Sequence, residues 1–159
     1  MKKVGILVHG LHLQARGWER LMWGEPPDRL GRLTKMLFVV LDEDPQRIEC
    51  IVMGTGASRQ SDTIEADYAK KYLQGHLGDL GQFPSLVQHP AFVRDQGAKL
   101  TELVGRMVTD TQSKNTLEAM RVAATIFAGV DVERIIQISS ATHLPRCIRD
   151  CLILREKGV

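Results

Sequence analysis

Four short apolar runs, separated by stretches of helical periodicity, constrain this chain more than any other feature. Residues 4–8, 48–53, 103–108 and 135–138 are nearly continuous in apolar character rather than alternating. That is the pattern of strands covered on both faces. Between them, residues 28–41 repeat Leu30, Leu33, Leu37 and Leu41 on one helical face. Residues 116–128 repeat Leu117, Met120, Ala124 and Phe127 and stop at Gly129, a residue suited to a helix C-terminus. Residues 63–73 form a shorter, more polar helical stretch, and residues 144–157 place Leu144, Ile148, Cys151, Leu152 and Arg155 on one face. Strand and helix alternate, which implies an α/β fold with a mostly parallel sheet and right-handed crossovers. The chain of 159 residues fits one domain, residues 1–159, and can bury a core without staples.

Charge and composition narrow the function classes. Hydrophobic residues are 43% and charged residues 25%, with a formal net charge of +2. A balance that near zero argues against a nucleic-acid partner, an acidic tail or a polybasic anchor. Met1-Lys2-Lys3 precedes an apolar stretch far too short for a signal sequence, and no run approaches the roughly 18 apolar residues of a membrane span. The expected location is cytoplasmic. Cys50, Cys147 and Cys151 are an odd count without framework spacing, so free thiols in a reducing compartment are expected. The four-residue step from Cys147 to Cys151 could seat two thiolates on an ion, but no second pair has partner spacing, and no metal is expected.

Two stretches fall outside the strand–helix repeat. Residues 10–27 read as a long loop holding Trp18, Trp23, Arg16 and Arg20, either a lid that stacks on a ring or a hydrophobic cover or subunit contact. Residues 75–96 are rich in Gly, Pro and His and lead into a helix near Lys99. Long loops in a compact α/β domain are more often functional than accidental.

In open parallel sheets, ligands bind outside the C-terminal ends of the strands. Those four edges hold His9 and His12; Gly54-Thr55-Gly56 with Glu65 beyond it; Asp110, Ser113, Asn115, Thr116 and Glu118; and Ser139, His143 and Arg146. Gly54-Thr55-Gly56 lacks the third glycine of a dinucleotide fingerprint. It is either a backbone nest for an anion or a tight turn needing positive φ. Asp62 with Glu65, and Asn115 with Glu118, match a capping-box pattern at helix starts, the structural alternative to carboxylates that do chemistry. A cation at Arg146, in the first turn of a helix marked by Pro145, faces the positive end of the dipole. It calls for an anion: Glu65, Glu118, Asp110 or a ligand phosphate or carboxylate.

Several of these segments resemble the YdcF/SanA/ElyC-like family of bacterial proteins. Ser113-Lys114-Asn115-Thr116-Leu117-Glu118-Ala119 resembles its "S-x-N-T-x-E-N" segment, and Ser139-Ser140-Ala141-Thr142-His143-Leu144-Pro145-Arg146-Cys147 its "T-S-x-y-H-m-x-R-A" segment. Gly54-x-Gly56 with Ser61 and Glu65-Ala66 resembles its "G-G…S-E-A" segment, and Asp28-Arg29-Leu30 its Arg-bearing helix start. Departures are Asp110 for the usual Glu, Ala119 for Asn, a longer stretch at residues 75–96, and an end soon after the His/Arg helix, which leaves a sheet edge that a second copy of the chain could cover. The resemblance implies a Rossmann-like three-layer sandwich, with a mostly parallel sheet of about four to five strands, and a link to envelope biogenesis. It implies a site drawn from Arg29, Gly54, Gly56, Glu65, Asp110, Ser113, Asn115, Thr116, Glu118, His143 and Arg146.

Three functional readings follow. In the first, the protein is an enzyme, a hydrolase or transferase, acting on a phosphorylated or nucleotide-like small molecule. Arg29 and Arg146 would bind the anion with Gly54, Thr55, Gly56, Ser113, Asn115 and Thr116, and His143 would move a proton, helped by Glu65, Asp110 or Glu118. In the second, the same cleft holds an adenosyl-type nucleotide without turnover. In the third, the Trp18/Trp23 segment is a contact in an envelope assembly. No cofactor is specified by any motif.

Overall fold

Every residue of β1 (Val4–His9) is buried, and the sheet around it explains why. In the computed structural model, which describes residues 2–95 and 97–158, β1 pairs in parallel with β4 (Ile48–Gly54) on one side and β8 (Arg134–Ile138) on the other. β7 (Val108–Asp110) joins the far side of β4, giving the all-parallel order β7-β4-β1-β8. The chain builds outward from β1 to β7, then returns to lay β8 beside β1. The order therefore reverses next to β1, the place where open sheets of this class form a crevice.

Helices cover both faces. Successive strand side chains point to opposite sides, so Ile6 and Val8 of β1, with Ile51 and Met53 of β4, enter one core. There they meet α1 (Trp18–Met22), α2 (Arg32–Asp42), α3 (Glu65–Gly75) and α6 (Ala98–Gly105). Leu7 and Val52 enter a smaller core with Met120, Ala123 and Phe127 of α7 (Thr116–Ala128) and Leu154 of α8 (Leu144–Glu156). Gly5 shares the Leu7 side, and a Cβ there would lie 2.7 Å from the Phe127 ring; the missing side chain is what lets the ring seat against β1. The result is the Rossmann-like three-layer sandwich expected from the sequence. Among the described residues, no helix is long and apolar enough to cross a membrane.

Five details depart from the sequence reading. The face of α8 expected to be apolar and packed, with Leu144, Ile148, Cys151 and Leu152, is exposed, and the helix buries Cys147, Asp150 and Leu154 instead. The run at 103–108 is not one strand: Leu100, Leu103 and Val104 have helical spacing and bury as the inner face of α6, and the strand begins only at Val108. The helix expected from residue 28 begins at Arg32, because Arg29–Leu30 (β3) pairs with Gly24–Glu25 (β2) as a small antiparallel ribbon. The stretch 75–96 is largely helical in its described part: a 3-10 segment (Leu77–Gln82), α4 (Pro84–Val87) and α5 (Pro90–Asp95) bury Leu80, Phe83 and Leu86. Its Gly and Pro residues punctuate short helices; Gln96 lies outside the described residues. β8 is an edge strand, with Ile135 47% exposed, so it is not covered on both faces.

The tryptophan segment is a cover. Trp18 and Trp23 are both buried; Trp18 meets Tyr68 and Tyr72 edge-on at 5.0 and 5.6 Å, and Trp23 meets Phe83 at 5.6 Å. Such rings add packing energy beyond their buried area.

The two-core arrangement makes a direct stability prediction. Phe127→Ala is expected to lower the unfolding free energy by about 3–5 kcal/mol. Ile148→Ala, at a side chain 51% exposed on α8, should change it by no more than about 0.5 kcal/mol. Urea unfolding measures both, and equal losses would contradict the packing described.

Candidate functional site

The C-terminal edge of the sheet is built around a buried carboxylate. Glu65 is the first residue of α3 and has no exposed surface. Its Oε1 accepts from the Leu11 amide and from the Trp18 indole Nε1, both at 2.8 Å. Among the described residues, its Oε2 has no hydrogen-bond partner, and neither does the buried Thr55 hydroxyl. The expected capping pair with Asp62 does not form: Ile64 is the cap residue, without a side-chain bond, and the Glu65 carboxylate crosses to the β1 loop instead. Gly10 makes that crossing possible, since a Cβ there would lie 1.9 Å from Thr55 Cγ2 and 2.8 Å from Glu65 Cδ. Arg32, almost fully buried at the start of α2, ties down the same loop by donating through Nη1 to the His9 carbonyl at 2.9 Å and to the Gly10 carbonyl.

The second pattern at a helix start does cap its helix, in a variant of the capping box in which the glutamate reaches the amide one residue before the cap. Asn115 Oδ1 accepts from the Glu118 amide at 2.9 Å, and Glu118 Oε2 accepts from the Lys114 amide at 2.8 Å. Asn115 Nδ2 adds a bond to Glu118 Oε1 at 3.1 Å. Both Glu118 oxygens therefore serve the α7 N-terminus. Asp110 likewise serves its turn: Oδ1 accepts from the Gln112 and Ser113 amides, each at 3.0 Å, and Oδ2 from the Ser113 hydroxyl. Gly54 and Gly56 do not have positive φ. Gly56 is small for another reason, because a Cβ would lie 2.8 Å from the Ser113 amide nitrogen, where the loops after β4 and β7 touch.

His143 caps α8 and stands between two hydroxyls, with Ser139 Oγ 3.1 Å from Nδ1 and Thr116 Oγ1 3.3 Å from Nε2. Burial lowers its pKa, and the Arg32 and Arg146 charges lower it further. The His9 ring stands edge-on to it at 5.6 Å and hydrogen-bonds through Nε2 to Gln137 Oε1 at 3.1 Å. Burial brings the His9 pKa down to about 4, with the neighbouring His143 and Arg32 acting in the same direction. Cys147 lies one turn along α8, its Sγ 3.9 Å from His143 Nδ1, and burial pushes its thiol pKa up. These three residues are the group in this part of the chain able to hold a metal ion.

A cavity of about 250 Å³ opens among these groups. Of the residues singled out from the sequence, Gly54, Thr55, Glu65, Ser113, Asn115, Thr116, His143 and Arg146 line it. Gly56, Asp110 and Glu118 support the surrounding loops without lining it. Arg29 lies elsewhere: it is exposed, pairs with Glu25 at 2.7 Å in the β2–β3 ribbon, and borders a separate cavity of about 400 Å³ with Arg32, Lys35 and Ser139. Sequence reasoning missed Arg32 and Lys114 and set His9 and His12 aside. Arg32 carried no signal in the sequence like the one that marked Arg146: with the helix read from residue 28 it falls beyond the first turn, and the β2–β3 ribbon moves the helix start to Arg32. Arg146 is exposed and makes no ion pair among the described residues.

Fold and site together define an α/β protein with a small polar cleft at the C-terminal edge of a parallel sheet. Compared with family models, with curated proteins and with solved structures, the chain matches none.

Glu65→Ala would leave the Leu11 amide and the Trp18 indole N–H without an acceptor. Each such buried donor costs about 1–3 kcal/mol. A clear loss of stability is expected in urea unfolding followed by tryptophan fluorescence, with a smaller loss for Glu65→Gln, which keeps an acceptor oxygen. An unchanged midpoint for Glu65→Ala would contradict this geometry.

Proposed function

We propose that the cleft belongs to an enzyme, a hydrolase or transferase, acting on a phosphorylated or nucleotide-like small molecule. The observation that carries this reading is Glu65 Oε2: a fully buried carboxylate oxygen without a hydrogen-bond partner among the described residues, on a side chain that borders a cavity also lined by Lys114 and Arg146. A polar atom in that state is costly. A hydroxyl or water donating to it removes the penalty, and a base so placed is suited to take that proton.

The other wall suits an anion. Lys114 and Arg146 bring positive charge, and the N-termini of α7 and α8 add the positive ends of two helix dipoles. His143 is kept neutral near pH 7 by burial and by the two guanidinium groups, so it can offer or accept a hydrogen bond without adding charge. Size also bears on the ligand. Pockets that enclose a drug-sized ligand run to about 300–1,000 Å³, and this one is about 250 Å³. It suits a phosphate with the sugar-sized group attached to it. The base of an adenosyl-type nucleotide would lie outside, which favours the enzymatic reading over a nucleotide-holding module.

The two segments that carry the YdcF/SanA/ElyC-like resemblance contribute Ser113, Asn115, Thr116, His143 and Arg146 to this wall. Their convergence supports kinship with that family and a role in envelope biogenesis as parts of the same proposal.

The test is turnover of a panel of sugar phosphates, nucleotides and simple phosphomonoesters by the wild type, Glu65→Gln and Arg146→Ala. Turnover is expected to fall about 10²–10⁴-fold in Glu65→Gln, and Arg146→Ala should raise KM. Full activity in both variants would overturn the assignment. Saturable binding without turnover in the wild type would make the protein a binding module.

A further inference from the structure

We infer that His9, His143 and Cys147 form a binding site for one zinc-type divalent metal ion, open on one side to the cleft. One candidate ligand atom from each of the three residues can be chosen so that all lie within 4.8 Å of one another. In a tetrahedral zinc site, with metal–nitrogen bonds near 2.0–2.1 Å and metal–sulfur near 2.3 Å, ligand atoms stand roughly 3.3–3.8 Å apart. His143 Nδ1 and Cys147 Sγ are already at 3.9 Å. Closing the remaining gap takes about an ångström of side-chain movement.

Three features beyond proximity fit an ion. His143 and Cys147 are four residues apart across the first turn of α8, so both project from one face of a rigid element. The sequence pointed to Cys147 and Cys151 as the four-residue pair, but Cys151 is exposed, and the partner of Cys147 lies upstream instead. His9 has an outer partner of the kind metal-binding histidines take. Gln137 Oε1 can only accept, so Nε2 of His9 carries the proton and Nδ1 holds the lone pair. Finally, His9 and His143 both line the cavity while Cys147 is buried behind them. Three protein ligands with a fourth position facing a cleft is the pattern of a catalytic zinc site, and four protein ligands that of a structural one.

Arg32 and Arg146 oppose a cation beside His143, and Asp150, which pairs with Arg149 at 2.6 Å, favours it. Binding converts the Cys147 thiol to a thiolate: the S–H bond breaks, the sulfur keeps the electron pair and donates it to the metal, and the proton leaves to solvent. The inference deepens the enzymatic reading of the cleft, in which the ion would polarise a water or a ligand oxygen held at its open fourth position in the cavity that Glu65 also lines. The site itself does not depend on any substrate.

The experiment is a Co²⁺ titration of chelator-stripped full-length protein, read by absorption. The expected result is one saturable site with a thiolate-to-Co²⁺ charge-transfer band, displaced by Zn²⁺. The band should vanish in Cys147→Ala and persist in Cys151→Ser. Gln137→Ala should weaken Co²⁺ affinity about 10–100-fold. X-ray absorption on the Zn²⁺-loaded wild type covers the case in which Cys147→Ala fails to fold: one sulfur near 2.3 Å with lighter ligands near 2.0–2.1 Å is expected. No saturable binding, a band surviving in Cys147→Ala, or a zinc shell without sulfur would each overturn the site. None of these readouts uses substrate, so they leave the turnover test of the cleft untouched.

Discussion

The C-terminal edge of this sheet is organised by one buried interaction, the Glu65 carboxylate held by the Leu11 amide and the Trp18 indole. Three separate parts of the chain meet there: the loop leaving β1, the tryptophan cover and the start of α3. Burying a charge is tolerated only when donors replace water, and Glu65 has them on one oxygen alone. The arrangement depends on Gly10, because any side chain at that position would occupy the space of Thr55 and Glu65. It depends also on Arg32, which holds the carbonyls of His9 and Gly10 from below and supplies a compensating charge. The loop is thus fixed from both sides, and Glu65 Oε2 is left buried without a hydrogen-bond partner among the described residues.

Function at this edge follows from where charge sits. The formal sum of +2 conceals the local arrangement. Lys114 and Arg146 stand at helix starts around the cavity, and Glu65 lies buried in its wall. In the function we propose, this ensemble receives a small molecule with an anionic end and a proton-donating end. Preorganised donors and charges in a site shielded from water act more strongly than they would in solvent.

Much of this was legible in the sequence. The apolar runs of β1 and β4 and the periodicity of α7 lie where expected, because burial on both sides or on one helical face leaves a clear pattern. β8 and α8 also form where expected, but β8 is a partly exposed edge strand and α8 buries Cys147, Asp150 and Leu154 rather than the face of Leu144, Ile148, Cys151 and Leu152. Parallel topology then fixed the strand ends as the place to look, which was enough to find Thr55, Glu65, Asn115, Thr116, His143 and Arg146 before any geometry. Tertiary contact decided the rest. The run at 103–108 merges the last turn of α6 with the start of β7, and no local signal separates the two. Glu65 and Glu118 look alike as capping residues, yet only Glu118 caps; Glu65 is drawn away by donors more than forty residues upstream in the chain. Arg29 and Arg32 are three positions apart, yet beside the two-residue ribbon at Arg29–Leu30 the first is exposed and the second is buried against the His9 and Gly10 carbonyls. The grouping of His9 with His143 and Cys147 comes from β1 and β8 being neighbours, which no spacing along the chain reveals.

The most direct test of the account is hydrogen exchange by NMR at two protons, the Leu11 amide and the Trp18 indole, in the wild type and in Glu65→Ala. The account predicts slow exchange of both in the wild type. In the variant it predicts fast exchange of both, while the amides of β1 that pair with β4 and β8 stay protected. Exchange at Leu11 and Trp18 that is fast in the wild type, or unchanged by the substitution, would contradict the claim that Glu65 organises this edge.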